Sequence, residues 1–167
     1  VLVPEIEIMG WYWGIGIGVA ILVFLGVMAI PLARRWRAHE AKLAIQRFRH
    51  QREQLEAKFL DLAQALGKPR GLRWIDCDWL NTVTFARDRR TGLITAFAGI
   101  NIRFEAIEGG DMEDVAAVGT VRDAVAVFHF YRGFWGTGGK ALFNMNAEEA
   151  VSRLTAQFEA VPCEWPR

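Results

Sequence analysis

WYWGIGIGVAILVFLGVMAIPLA, residues 11–33, decides how the rest of the chain is to be read. It runs for 23 positions without a charge. As a helix rising about 1.5 Å per residue it spans roughly 34 Å, enough to cross a hydrocarbon core of about 30 Å. Trp11, Tyr12 and Trp13 crowd one end and Trp36 lies just past the other, the expected anchor pattern for the two interfaces. Arg34, Arg35 and Arg37 follow at once and read as a stop-transfer signal. A cleaved signal peptide would place basic residues before a shorter apolar core. Here Glu5 and Glu7 precede a long one. The expectation is a retained single-pass transmembrane helix over 11–33, preceded by a short tail of residues 1–10.

The charge totals hide this organisation until they are split. The 167-residue chain carries 20 Lys+Arg against 19 Asp+Glu, a net of +1. Residues 1–33, 34–67 and 68–167 carry −2, +4 and −1. Basic residues near the ends of a span set its orientation. All of them lie on the C-terminal side, so the N-terminal tail is expected outside and the C-terminal part in the cytoplasm. The apolar content of 52% excludes a disordered chain. Two cysteines, Cys77 and Cys163, exclude a disulfide-dense scaffold and a four-cysteine zinc site. The basic cluster abuts the membrane, so topology explains it and nucleic acid is not an expected partner.

Within the span, Gly10, Gly14 and Gly18 recur every four residues, and Gly16 and Ala20 form a second small pair. Small residues at i and i+4 let a second helix approach closely, so this face is expected to pack on a partner helix. The span has no ionisable side chain to ligate a cofactor or carry a proton, although lipid or pigment can still lie against it. Pro31 is placed to kink the exit of the helix.

Residues 34–67 are rich in helix formers and lack an internal glycine or proline, with Gly67 and Pro69 as the stop. Apolar residues recur at Ala38, Ala41, Ile45, Phe48, Leu55, Phe59, Leu62 and Leu66, and Arg52 takes the one polar seam position. This narrow stripe fits a coiled coil with a second copy, packing on another subunit or on its own globular domain, or a basic face on anionic headgroups.

From Lys68 onward the pattern has period two. Strands are expected at 72–76, 82–88, 93–108 with a bend at Gly99, 115–121, 124–132 and 140–146. Residues 89–92 and 133–139 read as turns. Asn146 and Glu149 form a capping box that opens a helix over 147–161. The fold class is therefore α+β: a transmembrane helix, a juxtamembrane helix, then an antiparallel sheet of about five or six strands with a C-terminal helix.

Few residues in the domain suggest chemistry. GTGGK (136–140) lacks the Ser/Thr and the following helix of a phosphate-binding loop, and reads as a hairpin turn. Asp76-Cys77-Asp78 offers a thiol, but His129 is the domain's only histidine and reads as a structural or surface residue. Asp111, Glu113 and Asp114 lack a calcium-loop pattern and read as a solvated acidic loop, or one meeting an Arg-rich partner. No catalytic, metal or cofactor-binding residue is assigned. The surplus of aromatics is more informative. Trp74, Trp79, Phe134, Trp135 and Trp165 sit in or beside turns, where interfaces place their anchors. Phe48, Leu55, Phe59, Trp79, Phe134 and Trp135 are the expected partner contacts, and Trp11, Trp13, Arg34, Arg35, Trp36 and Arg37 the membrane-interface anchors.

KPRGLRW (68–74), TFARDRRTG (84–92), FEAIEGG (104–110), MEDV (112–115) and ALFNMNAEEA (141–150) together resemble a group of small bacterial membrane-anchored proteins of undefined function. That resemblance covers the soluble half and carries no catalytic residue across. The layout is also similar to the single-pass accessory subunits of bacterial membrane complexes, including those that brace a photosynthetic reaction centre against its light-harvesting antenna. It implies a bacterial inner-membrane protein that is not an enzyme, whose partners are other subunits of a membrane complex and anionic lipid headgroups. A membrane-tethered homodimeric adaptor, self-associating through 38–66, is the alternative.

Overall fold

The structure is a computed structural model that describes residues 5–66, 71–109, 112, 113, 115, 119–163 and 165, with side chains in the first helix from Ile15 onward. Gly67 and Pro69, the expected helix stop, lie outside the described residues, as do Asp111 and Asp114. The chain divides into two compact units, Val1–Glu40 and Ala41–Arg167. Helix α1, Glu5–Ala65, contributes its first part to one and residues 41–65 to the other. In the first unit α1 continues through Pro31, and every described side chain from Ile15 to Glu40 is exposed.

The second unit is an α+β fold. β1 (Leu72–Asp88), β2 (Ile94–Ala106), β3 (Arg122–Tyr131), β4 (Phe134–Phe143) and β5 (Phe158–Val161) form one antiparallel sheet in the order β4-β3-β2-β1-β5. Residues 41–65 of α1 pack on one face of it. Ala44, Ile45, Phe48, Leu55, Phe59 and Ala63 are buried there with Phe85, Ile100 and Phe128. The other face holds a smaller core of Phe97, Val125, Val127 and Phe158 beneath α2 (Ala147–Arg153). The apolar stripe read from the sequence is thus the seam between α1 and its own sheet. Ala38 and Leu66 are exposed, and Ala44 and Ala63 take up the packing instead.

The elements depart from the sequence pattern in four places. The two strands expected at 72–76 and 82–88 are one, β1, with bulges between Trp74 and Asp76 and between Trp79 and Val83. Three residues, Leu80 to Thr82, stand opposite Gly99 alone. A Cβ at Gly99 would lie 2.5 Å from Thr82 Oγ1, so glycine is what lets the bulge fold over β2. Second, the described residues of 115–121 are in loop and turn conformations, and β3 begins at Arg122.

Third, FWGTGG (134–139) is not a turn but the body of β4. The turn is confined to Arg132 and Gly133, both with positive φ (49° and 87°), as a two-residue hairpin requires. The glycines serve close approach instead: a Cβ at Gly139 would lie 2.7 Å from the backbone nitrogen of Ala63. Fourth, the helix begun by the Asn146–Glu149 capping box stops at Leu154, and Phe158–Val161 pairs with Phe85–Asp88 as β5. The Arg89 N–H donates to Gln157 O at 2.8 Å, and the Phe158 ring meets Phe97 edge-on at 5.1 Å. These contacts outweigh the local helical period.

Candidate functional site

The first candidate surface is the apolar part of α1. Its most apolar stretch has a mean hydropathy of 2.6, and none of it is buried within the molecule. The helix is long and apolar enough to cross a membrane. Gly18 and Gly16 face open space on it. Gly10, Trp11, Trp13 and Gly14 lie outside the residues whose side chains are described. At the far end Arg34, Arg35, Trp36 and Arg37 are all exposed, Trp36 at 73%.

The expected partner contacts require correction. Phe48, Leu55, Phe59 and Trp135 are core residues of the second unit, each no more than 7% exposed. Phe48 meets the rings of Phe85, Phe128 and Trp135 at 5.5, 5.4 and 5.0 Å. Trp79 is half-buried against Phe59 and Phe128. The indole of Trp135 also donates to Ala44 O at 2.8 Å. A one-helix cover over a five-stranded sheet needs wide side chains to fill it, and these aromatics fill it. Of the six, Phe134 alone is fully outward, at 73% exposure.

Arg52, the polar member of the apolar seam, has a specific task. Its guanidinium donates to Leu80 O at 2.7 Å and to Asn81 Oδ1 at 3.0 Å, while Nε bonds Glu56 Oε1 at 2.6 Å. It therefore ties α1 to the β1 bulge and satisfies a carbonyl that the bulge removes from the ladder. Beside the bulge is an open groove of about 730 Å³ bordered by Asn81, Thr82, Asn146, Glu148, Cys163 and Trp165. A lone polar residue in an otherwise apolar stripe was the sequence signal for this junction.

The titratable groups do not converge. Cys77 pairs in register with Ile102 of β2, whereas His129 pairs with Thr95. Those two rungs are seven residue steps apart along β2, about 23 Å at ~3.3 Å per residue. Burial, with Asp76 and Asp78 alongside, pushes the Cys77 thiol up to about 12, so it is held protonated. His129 Nδ1 lies 3.1 Å from Thr95 Oγ1, a fully buried hydroxyl, and burial lowers its pKa. Among the described residues no three His, Cys, Asp or Glu side chains gather to hold a metal ion. Asp88 is taken up by the β1–β2 turn. Gln157 Nε2 and the Thr91 and Arg90 N–H groups donate to its carboxylate and hold its pKa down at about 2.

The outward surface of the domain is therefore more informative than its interior. The β3–β4 tip presents Tyr131, Arg132 and Phe134 to solvent, with the Arg132 guanidinium 5.1 Å from the Tyr131 ring centre. Phe134 is an expected contact from the sequence; Tyr131 and Arg132 join it because the turn lies at Arg132–Gly133 and not at 133–139. No protein-family model, curated protein or solved structure matches the chain.

Proposed function

We propose that this chain is a single-pass protein of the bacterial inner membrane. Its N-terminal tail lies outside and its α+β domain in the cytoplasm. It acts as a non-catalytic accessory subunit that docks on and stabilises a larger membrane complex, of which a photosynthetic reaction centre with its antenna is one example. The observation that carries the reading is the wholly exposed, charge-free apolar face of α1, which ends in Arg34, Arg35 and Arg37. Such a surface demands lipid or another helix, and the arginines favour the cytoplasmic side.

The domain's chemistry supports a binding role over catalysis. Its thiol at Cys77 is protonated, and the strand histidine, His129, lies some seven rungs away. The seam 38–66 is largely occupied by the protein's own sheet, which argues against a coiled-coil adaptor. Purification in mild detergent is the test. Larger subunits in fixed ratio are the expected result. A lone homodimer would sink the reading, and Gly14→Leu with Gly18→Leu should release the chain from its complex.

A further inference from the structure

Two hairpin turns lie at one end of the sheet, because Ile94 at the start of β2 pairs with Phe130 near the end of β3. One is the turn after β1, around Arg89 and Arg90; the other is the Arg132–Gly133 tip. The start of the domain's helix reaches the same end. Trp135 bonds Ala44 O there, and Arg47 donates to the Gly133 carbonyl.

Charge collects at this end. Residues 41–47, 87–92, 131–134 and 158–159 hold Lys42, Arg47, Arg87, Arg89, Arg90 and Arg132 against Asp88 and Glu159, a net of +4. Residues 71–78, 101–109, 113 and 122–123, at the other end of the sheet, hold six acidic against three basic side chains, a net of −3. The nearly neutral domain is bipolar.

Aromatics crown the basic end. Phe134 is 73% exposed and Tyr131 55%. Arg132 is held at a φ of 49°, a conformation that glycine or asparagine adopts with less strain, yet a cation occupies it. The tether is short as well. Residues 34–40 join Ala33 to Ala41, and eight extended steps of ~3.6 Å reach no further than about 29 Å.

We propose that this basic, aromatic end docks on the anionic headgroups of the membrane that holds the chain. Arg90 and Arg132 meet headgroup phosphates while Phe134 and Tyr131 enter the interface, where aromatic rings and cations are both favoured. The inference rests on the membrane-anchored reading above.

The test uses the full chain in lipid nanodiscs of phosphatidylcholine, alone or mixed with phosphatidylglycerol. Incorporation is checked first by flotation; a chain that does not enter either disc refutes the anchor and the docking with it. Hydrogen exchange is then compared between the discs. Slower exchange at 89–92 and 131–134 in the anionic disc, with 101–109 unchanged, is expected. Arg90→Glu should weaken the docked state at least about five-fold, the value of one basic residue at an anionic surface. Arg132→Gly separates docking from folding: it relieves the left-handed strain, so it should melt higher while docking more weakly. Equal exchange in the two discs by an incorporated chain overturns the docking and leaves the anchor standing.

Discussion

Truncating Phe48 to alanine distinguishes a core helix from a partner-binding helix. Phe48 is 1% exposed, and four rings surround it: Phe85, Phe128, Trp135 and Trp165, at 5.0–5.9 Å and all edge-on. Removing a ring from such a site leaves a cavity that rigid neighbours cannot close, and costs about 3–5 kcal/mol. The edge-to-face geometry places the loss toward the upper part of that range. A domain of this size holds about 5–15 kcal/mol in total, so a third or more of its stability goes. The melting temperature should fall by about 10–20 °C, followed by tryptophan fluorescence of the full chain in mild detergent. Phe134→Ala, on a 73% exposed ring, is the control and should change stability by less than about 0.5 kcal/mol. If Phe48→Ala melts with the wild type but abolishes self-association or subunit capture, α1 uses its seam for another chain and the packing argument fails.

Three further junctions can be probed by substitution. Arg52→Met keeps the stem but orphans Leu80 O and Glu56, and should cost about 2 kcal/mol by chemical denaturation; Arg52→Lys should recover less than half, since one ammonium cannot span the same acceptors. Gly99→Ala brings a Cβ to 2.5 Å from Thr82 Oγ1 and should cost about 1–3 kcal/mol. Adding Thr82→Ala should restore at least half of that in a double-mutant cycle; no recovery would mean that the bulge itself resists the methyl. Asp88 has its pKa lowered from 3.8 to about 2 in the fold, so the unfolded chain binds its proton first. Its contribution is complete above about pH 4 and is lost as the pH falls toward 2, and Asp88→Asn should flatten that acid limb by about 1–2 kcal/mol in melts against pH.

The sequence showed most where one physical demand acted alone. An uncharged run of 23 residues has few alternatives, and the Asn146–Glu149 box caps α2 as expected. It misled where two demands competed. The glycines of β4 signal a turn by composition, but Gly139 is there so that Ala63 and Leu62 can approach. Ala150, Val151, Leu154 and Phe158 keep a helical period, yet Phe158 is drawn off to meet Phe97 across the second core. Asp76, Cys77 and Asp78 interrupt the alternation of β1, and only pairing with Arg103, Ile102 and Asn101 shows them to be strand. The aromatics look like a surplus in the sequence because a sequence does not show that one helix must cover a whole sheet face.

The two ends of the domain are too far apart to influence one another electrostatically. β2 runs 13 residues from the basic end to the acidic one, about 43 Å at ~3.3 Å per residue. The screening length at physiological ionic strength is about 8 Å. A bilayer that attracts Arg90 and Arg132 therefore exerts almost no force on Glu105, Glu108 or Glu113, and the acidic end neither opposes docking nor is consumed by it. With the basic end on lipid, as proposed, Glu108 at the other end would lie well beyond the reach of the bilayer's charge. An unsegregated domain of the same net charge would present no such basic face, so the docking proposed above depends on where the charges sit and not on their sum.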